Sequence, residues 1–251
     1  MCKALREAKR ETSWLSPDVT YEQAVHTFIQ RSLEDEQFRN GVRSVTERIG
    51  TYAAMNALTR TLLRLTAPGV VDTFQGSELW NQSLVDPDNR RPVDYGHRRR
   101  LLDELDGTPL ERLLASWSNG ALKLFVTRTV LRTRKRLRAL FVQGEYAALP
   151  AGDHAIAFTR TLAGRIVFCC APRWSLRLTR GERPWPIGDV WQTQTVVLPA
   201  GHYRDAFTDR EIYSPGTLRL SECFESFPLS LLVAEGAADP EPRNNLDDDD
   251  D

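Results

Sequence analysis

The 251-residue sequence contains no apolar run approaching the roughly 18 residues that a membrane-spanning helix requires. Its first ten residues, Met1 to Arg10, hold five charges and no hydrophobic stretch, so the pattern of a secretory signal is missing. Cysteine is scarce. Cys2, Cys169, Cys170 and Cys223 are the four, and none stands in a Cys-x-x-Cys spacing. Neighbouring residues of a strand point to opposite faces, so Cys169 and Cys170 would not share a metal. Metal sites and a disulfide framework are both disfavoured, and reduced thiols in a cytoplasmic protein are the expectation. An excess of one charge sign is missing as well, with 33 basic against 34 acidic residues and a net charge of -1. Setting aside the five aspartates at 247–251 leaves a mildly basic body, which by itself does not call for a nucleic-acid partner. No internal repeat is apparent. What the sequence does hold is 41% hydrophobic and 27% charged residues, enough for a buried core and too apolar for a chain disordered throughout.

The chain changes character near residue 145. Before it, helical periodicity dominates. One helix is expected over about Lys3 to Thr12. A second starts at Ser16-Pro17, or at a Thr20-x-x-Gln23 capping box, and runs to about Leu33 with Tyr21, Val25, Phe28 and Ile29 on a buried face. A longer one, broken near Gly50, spans Asp35 to Leu65 with Phe38, Val42, Val45, Ile49, Leu58, Leu62 and Leu65 facing inward. Ala67-Pro68-Gly69 stops it, and Val70 to Phe74 reads as a short buried strand. A polar loop from Gln75 to Tyr95 follows, then helices over Arg98 to Leu105, Pro109 to Ser116 and Gly120 to Leu137. From Gly144 onward, strands are expected at 154–159, 165–170, 190–198, 217–220 and 229–233, separated by Gly, Pro and Asp clusters as in a β-sandwich. The last dozen residues, with their aspartate run, read as a disordered tail. The strand at 70–74 is awkward, because no partner strand precedes residue 145 and an orphaned backbone group costs about 1–3 kcal/mol. A complete eight-fold barrel takes about 250 residues, so only a closing unit of one fits before residue 145.

The loop after that strand concentrates the chemistry. Gln75, Glu78 and Trp80 are followed by Asp86, Asp88, Asn89, Arg90, Arg91, Asp94 and Tyr95. Carboxylates and amides exchange hydrogen bonds with sugar hydroxyls, indole and phenol rings stack on pyranose faces, and arginine binds anions or braces a carboxylate. The same residues also suit a purely structural loop, with Asp86 and Asp88 in Asx turns and Arg90 and Arg91 in internal ion pairs. Both readings remain open from composition. The basic clusters Arg98–Arg100 and Arg132–Arg138 read as solvated helix faces, with an RNA-binding module as a weaker reading. Trp174, Trp185 and Trp191 read as core of the β-rich part, with a carbohydrate platform as the alternative.

The stretch from Leu62 to Trp80 (LLRLTAPGVVDTFQGSELW) and the stretch from Ser83 to Tyr95 (SLVDPDNRRPVDY) closely resemble malto-oligosyltrehalose synthase, of the alpha-amylase superfamily. Supporting matches are Lys3 to Lys9, Thr12 to Trp14, Tyr21-Glu22, Lys123-Leu124, Leu140 to Tyr146 and Phe227-Pro228. The resemblance implies an intramolecular transglucosylase of trehalose synthesis, an isomerase turning the reducing-end α-1,4 bond of a malto-oligosaccharide into an α,α-1,1 trehalosyl end without a cofactor. It also implies an α+β chain: residues 1–143 as a helical region with the last βα unit of an incomplete (β/α)8 barrel, and residues 144–235 as a C-terminal antiparallel β-sandwich. Residues 236–251 form the acidic tail. By that correspondence the family's catalytic carboxylates lie on earlier barrel strands, so no catalytic residue is assigned here and the chain alone is expected to be inactive. Gln75, Glu78 and Trp80 would lie nearer the glucan, while Asp88, Arg90 and Arg91 would brace the loop. The expected partners are a malto-oligosaccharide and a separately encoded N-terminal barrel portion, with no nucleic acid and no membrane. The alternative is a non-catalytic glucan-binding or assembly subunit docking with such a portion. Four positions depart from the family pattern. Val71, Thr73 and Phe74 replace Pro, an aromatic and Tyr, and Arg60 adds a charge on a normally neutral helix face.

Overall fold

The computed structural model describes residues 1–83 and 90–234. The chain divides into two compact units, Met1–Gly50 with Trp80–Tyr95, and Thr51–Leu79 with the segment beginning at Gly96.

The first unit is built on helix α1 (Cys2–Ala8), helix α2 (Val19–Glu34) and the start of helix α3 (Glu36–Thr66). The start of α2 is set neither by Ser16 nor by Thr20 but by Asp18, whose carboxylate accepts the Tyr21 amide at 2.9 Å. Asp35 repeats the device one helix later, accepting the Phe38 amide at 2.7 Å. The apolar face expected on α2 is only partly buried: Tyr21, Val25 and Ile29 are half-buried, Phe28 is 72% exposed, and the one fully buried residue of this helix is Glu22. Its carboxylate takes two bonds from Arg6 and one from Thr12, each at 2.7 Å. These donors, Arg6 foremost, hold the Glu22 carboxyl down at about 2. Helix α1 is thus tied to α2 by a charge-assisted fork.

Helix α3 runs unbroken through Gly50. Its apolar positions do not form one buried stripe. Leu58, Leu62 and Leu65 are buried, whereas Phe38, Val42, Val45 and Ile49 are each about half exposed. The geometry of the helix explains the split. Ile49 and Leu58 are nine residues apart, two and a half turns, so the two sets lie on opposite sides of α3.

The second unit adds helices α4 (Tyr95–Glu104), α5 (Leu110–Ala115), α6 (Ala121–Arg136) and α7 (Arg138–Gln143) before the strands begin. The strands are β1 (Glu145–Leu149), β2 (Ala155–Leu162), β3 (Arg165–Pro172), β4 (Thr195–Val197), β5 (Gly201–Asp205), β6 (Glu211–Ser214), β7 (Thr217–Arg219) and β8 (Ser230–Ala234). Short helices α8 (Ser175–Thr179) and α9 (Leu220–Cys223) interrupt them. Six strands form an antiparallel sheet in the order β1-β2-β3-β8-β5-β6, and β4 pairs with β7 in a separate ribbon. One sheet face shares a core with that ribbon: Phe168, Tyr203 and Leu232 with Val196, Leu218 and Phe224. Trp191 completes it, stacked on Phe224 at 4.6 Å and donating its indole N–H to Pro186 O at 2.7 Å. The opposite face meets the helices, where Thr59 of α3 donates to Pro172 O at 2.9 Å and Thr66 lies 3.4 Å from Cys169 Sγ. Burial on both faces is why β3 carries six consecutive buried residues instead of an alternation.

The expected strand at 70–74 is absent. The segment after Thr66 is irregular, Val70 is fully exposed, Phe74 is 49% exposed, and neither sheet includes it. Five apolar or small residues favour a strand only where a neighbour receives their backbone groups, and no described strand does so. The run at 190–198 is also shorter than expected. Val190 and Trp191 sit in a 3-10 turn, and the strand itself begins at Thr195.

Cys169 and Cys170 do face opposite sides, one toward Thr66 and one into the ribbon-side core. All four cysteines are free thiols. Burial pushes Cys169 up to about 12 and raises Cys170 and Cys223 as well, which leaves inert buried thiols and no nucleophile among these three. No group of residues suited to a metal ion occurs among the described residues, and no helix there is long and apolar enough to cross a membrane.

Candidate functional site

The polar turn that follows α3 is fixed from below by the second unit's helices. Arg64 on α3 donates to Asp72 O at 3.0 Å, and the Ser77 amide closes onto Phe74 O at 3.2 Å. Gly76 takes a left-handed φ of 84°, which turns the chain back toward α4. Arg98 then clasps the turn. Its Nε donates to Glu78 Oε2 and one terminal nitrogen donates to Gly76 O, both at 3.1 Å. The pair is partly sheltered, with side-chain exposures of 19% for Arg98 and 29% for Glu78. Lys123 on α6 completes the cradle by donating to Leu79 O at 2.9 Å. Burial lowers the Lys123 pKa first of all and Arg64 adds to this, while Glu78 opposes them.

Leu79 is buried where Gly120 lets it approach. A Cβ at Gly120 would lie 3.1 Å from Leu79 Cβ, and φ there is +86°. Asn119 supports the same corner by accepting the Ala121 amide at 2.9 Å. The Gln75–Leu79 turn is therefore a rigid feature of the second unit, with Gln75 exposed at its outer edge.

In the first unit, Asn81 accepts both the amide of Ser83 at 2.9 Å and its hydroxyl at 2.5 Å, an Asx turn. Trp80 is half-buried, and Arg90, Arg91 and Asp94 are exposed. Asp86, Asp88 and Asn89 lie outside the described residues. Of the expected site residues, the second unit thus holds Gln75 and Glu78, and the first unit holds Trp80, Arg90, Arg91 and Asp94.

Sequence reasoning passed over Arg98, which looked like the first member of a solvated basic cluster. Nothing in the sequence distinguishes it from its neighbours: Arg98 is partly buried, whereas Arg99 and Arg100 are exposed. The second cluster also divides. Arg134 donates to Leu65 O at 2.8 Å and lies over the Phe141 ring, while Arg132 and Arg136 are exposed near the end of α6, where the helix dipole favours cations. The tryptophans divide too. Trp185 and Trp191 are core, but Trp174 is 49% exposed and lies under the guanidinium groups of Arg173 and Arg177, at 4.5 and 5.4 Å from its ring. Arg60, the charge that departs from the family pattern, is exposed on α3.

No protein-family model matches the chain. Individual proteins do. A Mycobacterium tuberculosis relative named maltooligosyl trehalose synthase is 37% identical over 239 residues, which is 94% of this chain and 28% of that protein. The maltooligosyltrehalose synthase of Arthrobacter ramosus superposes with a TM-score of 0.75 at 32% identity, over 93% of this chain and 29% of that one. A Sulfolobus tokodaii structure described as a hypothetical maltooligosyl trehalose synthase gives 0.63 at 26% identity, over 92% and 28%. The helices and antiparallel sheet together therefore match one portion of a larger class of proteins, the synthases named for trehalose formation. The chain is similar in sequence and fold to maltooligosyl trehalose synthases, and it spans less than a third of the length of these relatives.

Proposed function

We propose that this chain provides the C-terminal part of a malto-oligosyltrehalose synthase. The activity would be the intramolecular transfer that converts the reducing-end α-1,4 bond of a malto-oligosaccharide into an α,α-1,1 trehalosyl end. The observation that carries this reading is the 37% identity over 239 residues, 94% of the chain. The chain's role is to present the loop, not to break the bond. A retaining transfer needs two carboxyl groups about 5–5.5 Å apart across the scissile bond. Asp72 is exposed and Glu78 is committed to Arg98, so neither is assigned as nucleophile or acid.

The clasp by Arg98 suits Glu78 to glucan binding instead. It holds the carboxyl in one orientation, and a carboxylate so held retains acceptor capacity for a sugar hydroxyl. Gln75 supplies an amide donor and acceptor, and Trp80 an apolar ring face. The resemblance extends the proposed binding set to Arg90, Arg91 and Asp94, and to Asp86, Asp88 and Asn89, which lie outside the described residues. The catalytic carboxylates belong to a barrel portion supplied by the rest of the fold, and no cofactor is required. A second reading is a non-catalytic glucan-binding or assembly subunit that docks with a barrel portion. Incubation of the purified chain with maltohexaose, followed by chromatography, tests the division of labour. The expected result is unchanged maltohexaose with all reducing ends intact, and a trehalosyl product from the chain alone would refute it.

A further inference from the structure

Arg128, Arg132 and Arg136 recur at intervals of four on helix α6, so they lie on one face of it at steps of about 6 Å. With Arg204 of β5 they line a cavity of about 370 Å³, a size that suits a small molecule. Asp205 and Asp209 share the lining, and both are committed elsewhere. Asp209 accepts from Arg204 at 3.3 Å, while the oxygens of the buried Asp205 receive the Phe207 and Thr208 amides and the Ser230 hydroxyl. Arg128 donates one terminal nitrogen to Asp106 at 2.6 Å, yet its Nε is buried with no hydrogen-bond partner among the described residues. Arg132 and Arg136 make no ion pair or hydrogen bond with any described residue. The helix dipole accounts for cations in the last turn, at Arg134, Lys135 and Arg136. It does not account for Arg132 and Arg128, one and two turns earlier. Like charges four residues apart destabilise a helix, and a buried N–H without an acceptor destabilises it further. An anion seated in the cavity relieves both.

We infer that this cavity binds a small anion carrying two or more phosphate groups, held by Arg128, Arg132 and Arg136. The chemical class follows from the donors. Guanidinium groups present paired N–H bonds that match phosphate oxygens two at a time. Three of them spread along about 12 Å of helix match a chain of phosphates better than a single one. A lone carboxylate would leave one of the two unpaired arginines without a counter-charge. The volume selects a small molecule over a nucleic-acid strand, which would need the basic row to continue beyond the cavity. The site is separate from the Gln75–Leu79 turn: the support of that turn on α6 is Lys123, about 13 Å of helix before Arg132. It therefore stands independently of the function proposed above.

Isothermal titration of the full chain with inorganic tripolyphosphate and with orthophosphate, at one fixed ionic strength, tests the inference. Tripolyphosphate should bind one-to-one and at least roughly tenfold more tightly than orthophosphate. Arg132→Ala combined with Arg136→Ala should weaken it by roughly tenfold or more, since each arginine contributes charge-assisted hydrogen bonds. Both side chains are exposed, so the unliganded double variant should melt with the parent and lost binding is not lost fold. Arg99→Ala combined with Arg100→Ala removes the same two charges from the exposed face of α4 and should leave the affinity unchanged. A nucleoside triphosphate titrated alongside separates the sources. Tighter binding than tripolyphosphate assigns the site to a nucleotide, equal binding assigns it to the phosphate chain alone, and both uphold the site. Absent binding, tripolyphosphate held no more tightly than orthophosphate, or an equal loss from the α4 pair would each overturn the inference and leave a diffuse basic surface.

Discussion

Replacing Arg160 with alanine is expected to lower the stability of the second unit by roughly 2–6 kcal/mol, the summed cost of leaving two buried carbonyls without a donor at about 1–3 kcal/mol each. Arg160 stands on β2 with 1% of its surface exposed. Among the described residues no carboxylate pairs with it. Its guanidinium donates instead to carbonyls: Thr66 O at 3.2 Å, Phe141 O at 3.0 Å and Gly144 O at 2.9 Å. Thr66 ends α3, and Phe141 lies in the last turns of α7. Both are positions where unsatisfied carbonyls and the helix dipole concentrate partial negative charge. One side chain thereby caps two helices and pins both to the sheet. Burial lowers the Arg160 pKa, and Arg134 adds to this. An arginine nevertheless stays charged. Arg160→Ala would leave the buried Thr66 and Phe141 carbonyls without this donor and the part-buried Gly144 carbonyl as well. Arg160→Lys keeps the charge but lacks the fork, so it should recover only a minor share. Urea unfolding followed by tryptophan fluorescence would measure both. A loss below 1 kcal/mol for the alanine variant would contradict the capping role.

The second large effect concerns pH. Asp205, at the end of β5, is 1% exposed and accepts the Phe207 amide at 2.7 Å, with longer contacts from the Thr208 amide and the Ser230 hydroxyl. Burial outweighs these donors and pushes its pKa up to about 7. In the unfolded chain an aspartate loses its proton near 4. Between those values the folded state holds a proton that the unfolded state has released, so this residue's contribution to stability falls as pH rises from about 4 to about 7. The loss is at most about 4 kcal/mol, from three pH units of linkage. Glu22 acts in the opposite sense at lower pH, since its carboxyl is held at about 2 and its contribution fades as pH falls below about 4. Asp205→Asn separates the two. The amide still accepts the Phe207 N–H but cannot ionise, so the variant should gain on the parent protein as pH rises from 4 to 7. Thermal midpoints measured across that range should diverge. Parallel profiles would show that Asp205 is ionised throughout.

Sequence reasoning was strongest where local signals and tertiary packing agree. The strands around 155–170 and 230–234 are long, apolar and bounded by turn residues, and the sheet pairs them through their whole length. Strands β1, β5 and β6 were not legible. Four of the five residues in β1 are exposed, β5 has Tyr203 as its lone large apolar residue, and β6 is only four residues long. Their conformation comes from pairing with neighbouring strands, at the sheet edges for β1 and β6 and between β8 and β6 for β5, which leaves little trace in hydropathy. Periodicity failed on α2 and α3 for a different reason. It identifies an apolar face correctly but says nothing of what covers that face. Glu22 shows the converse: a polar residue is the buried one because Arg6 and Thr12, both remote in sequence, meet it. At the candidate site, Glu78 stood out by its motif, but Arg98 did not, because a clasp twenty residues away is a property of the fold.

Loss of reducing ends from maltohexaose in the reconstituted assembly tests the central claim most directly, because forming an α,α-1,1 bond consumes the reducing end while hydrolysis creates new ones. The chain combined with the complementary part of its mycobacterial relative should lower reducing power with a trehalosyl product appearing in step, and Glu78→Gln should weaken this activity. Intact reducing power in a stably formed complex, or reducing ends that increase, would contradict the account.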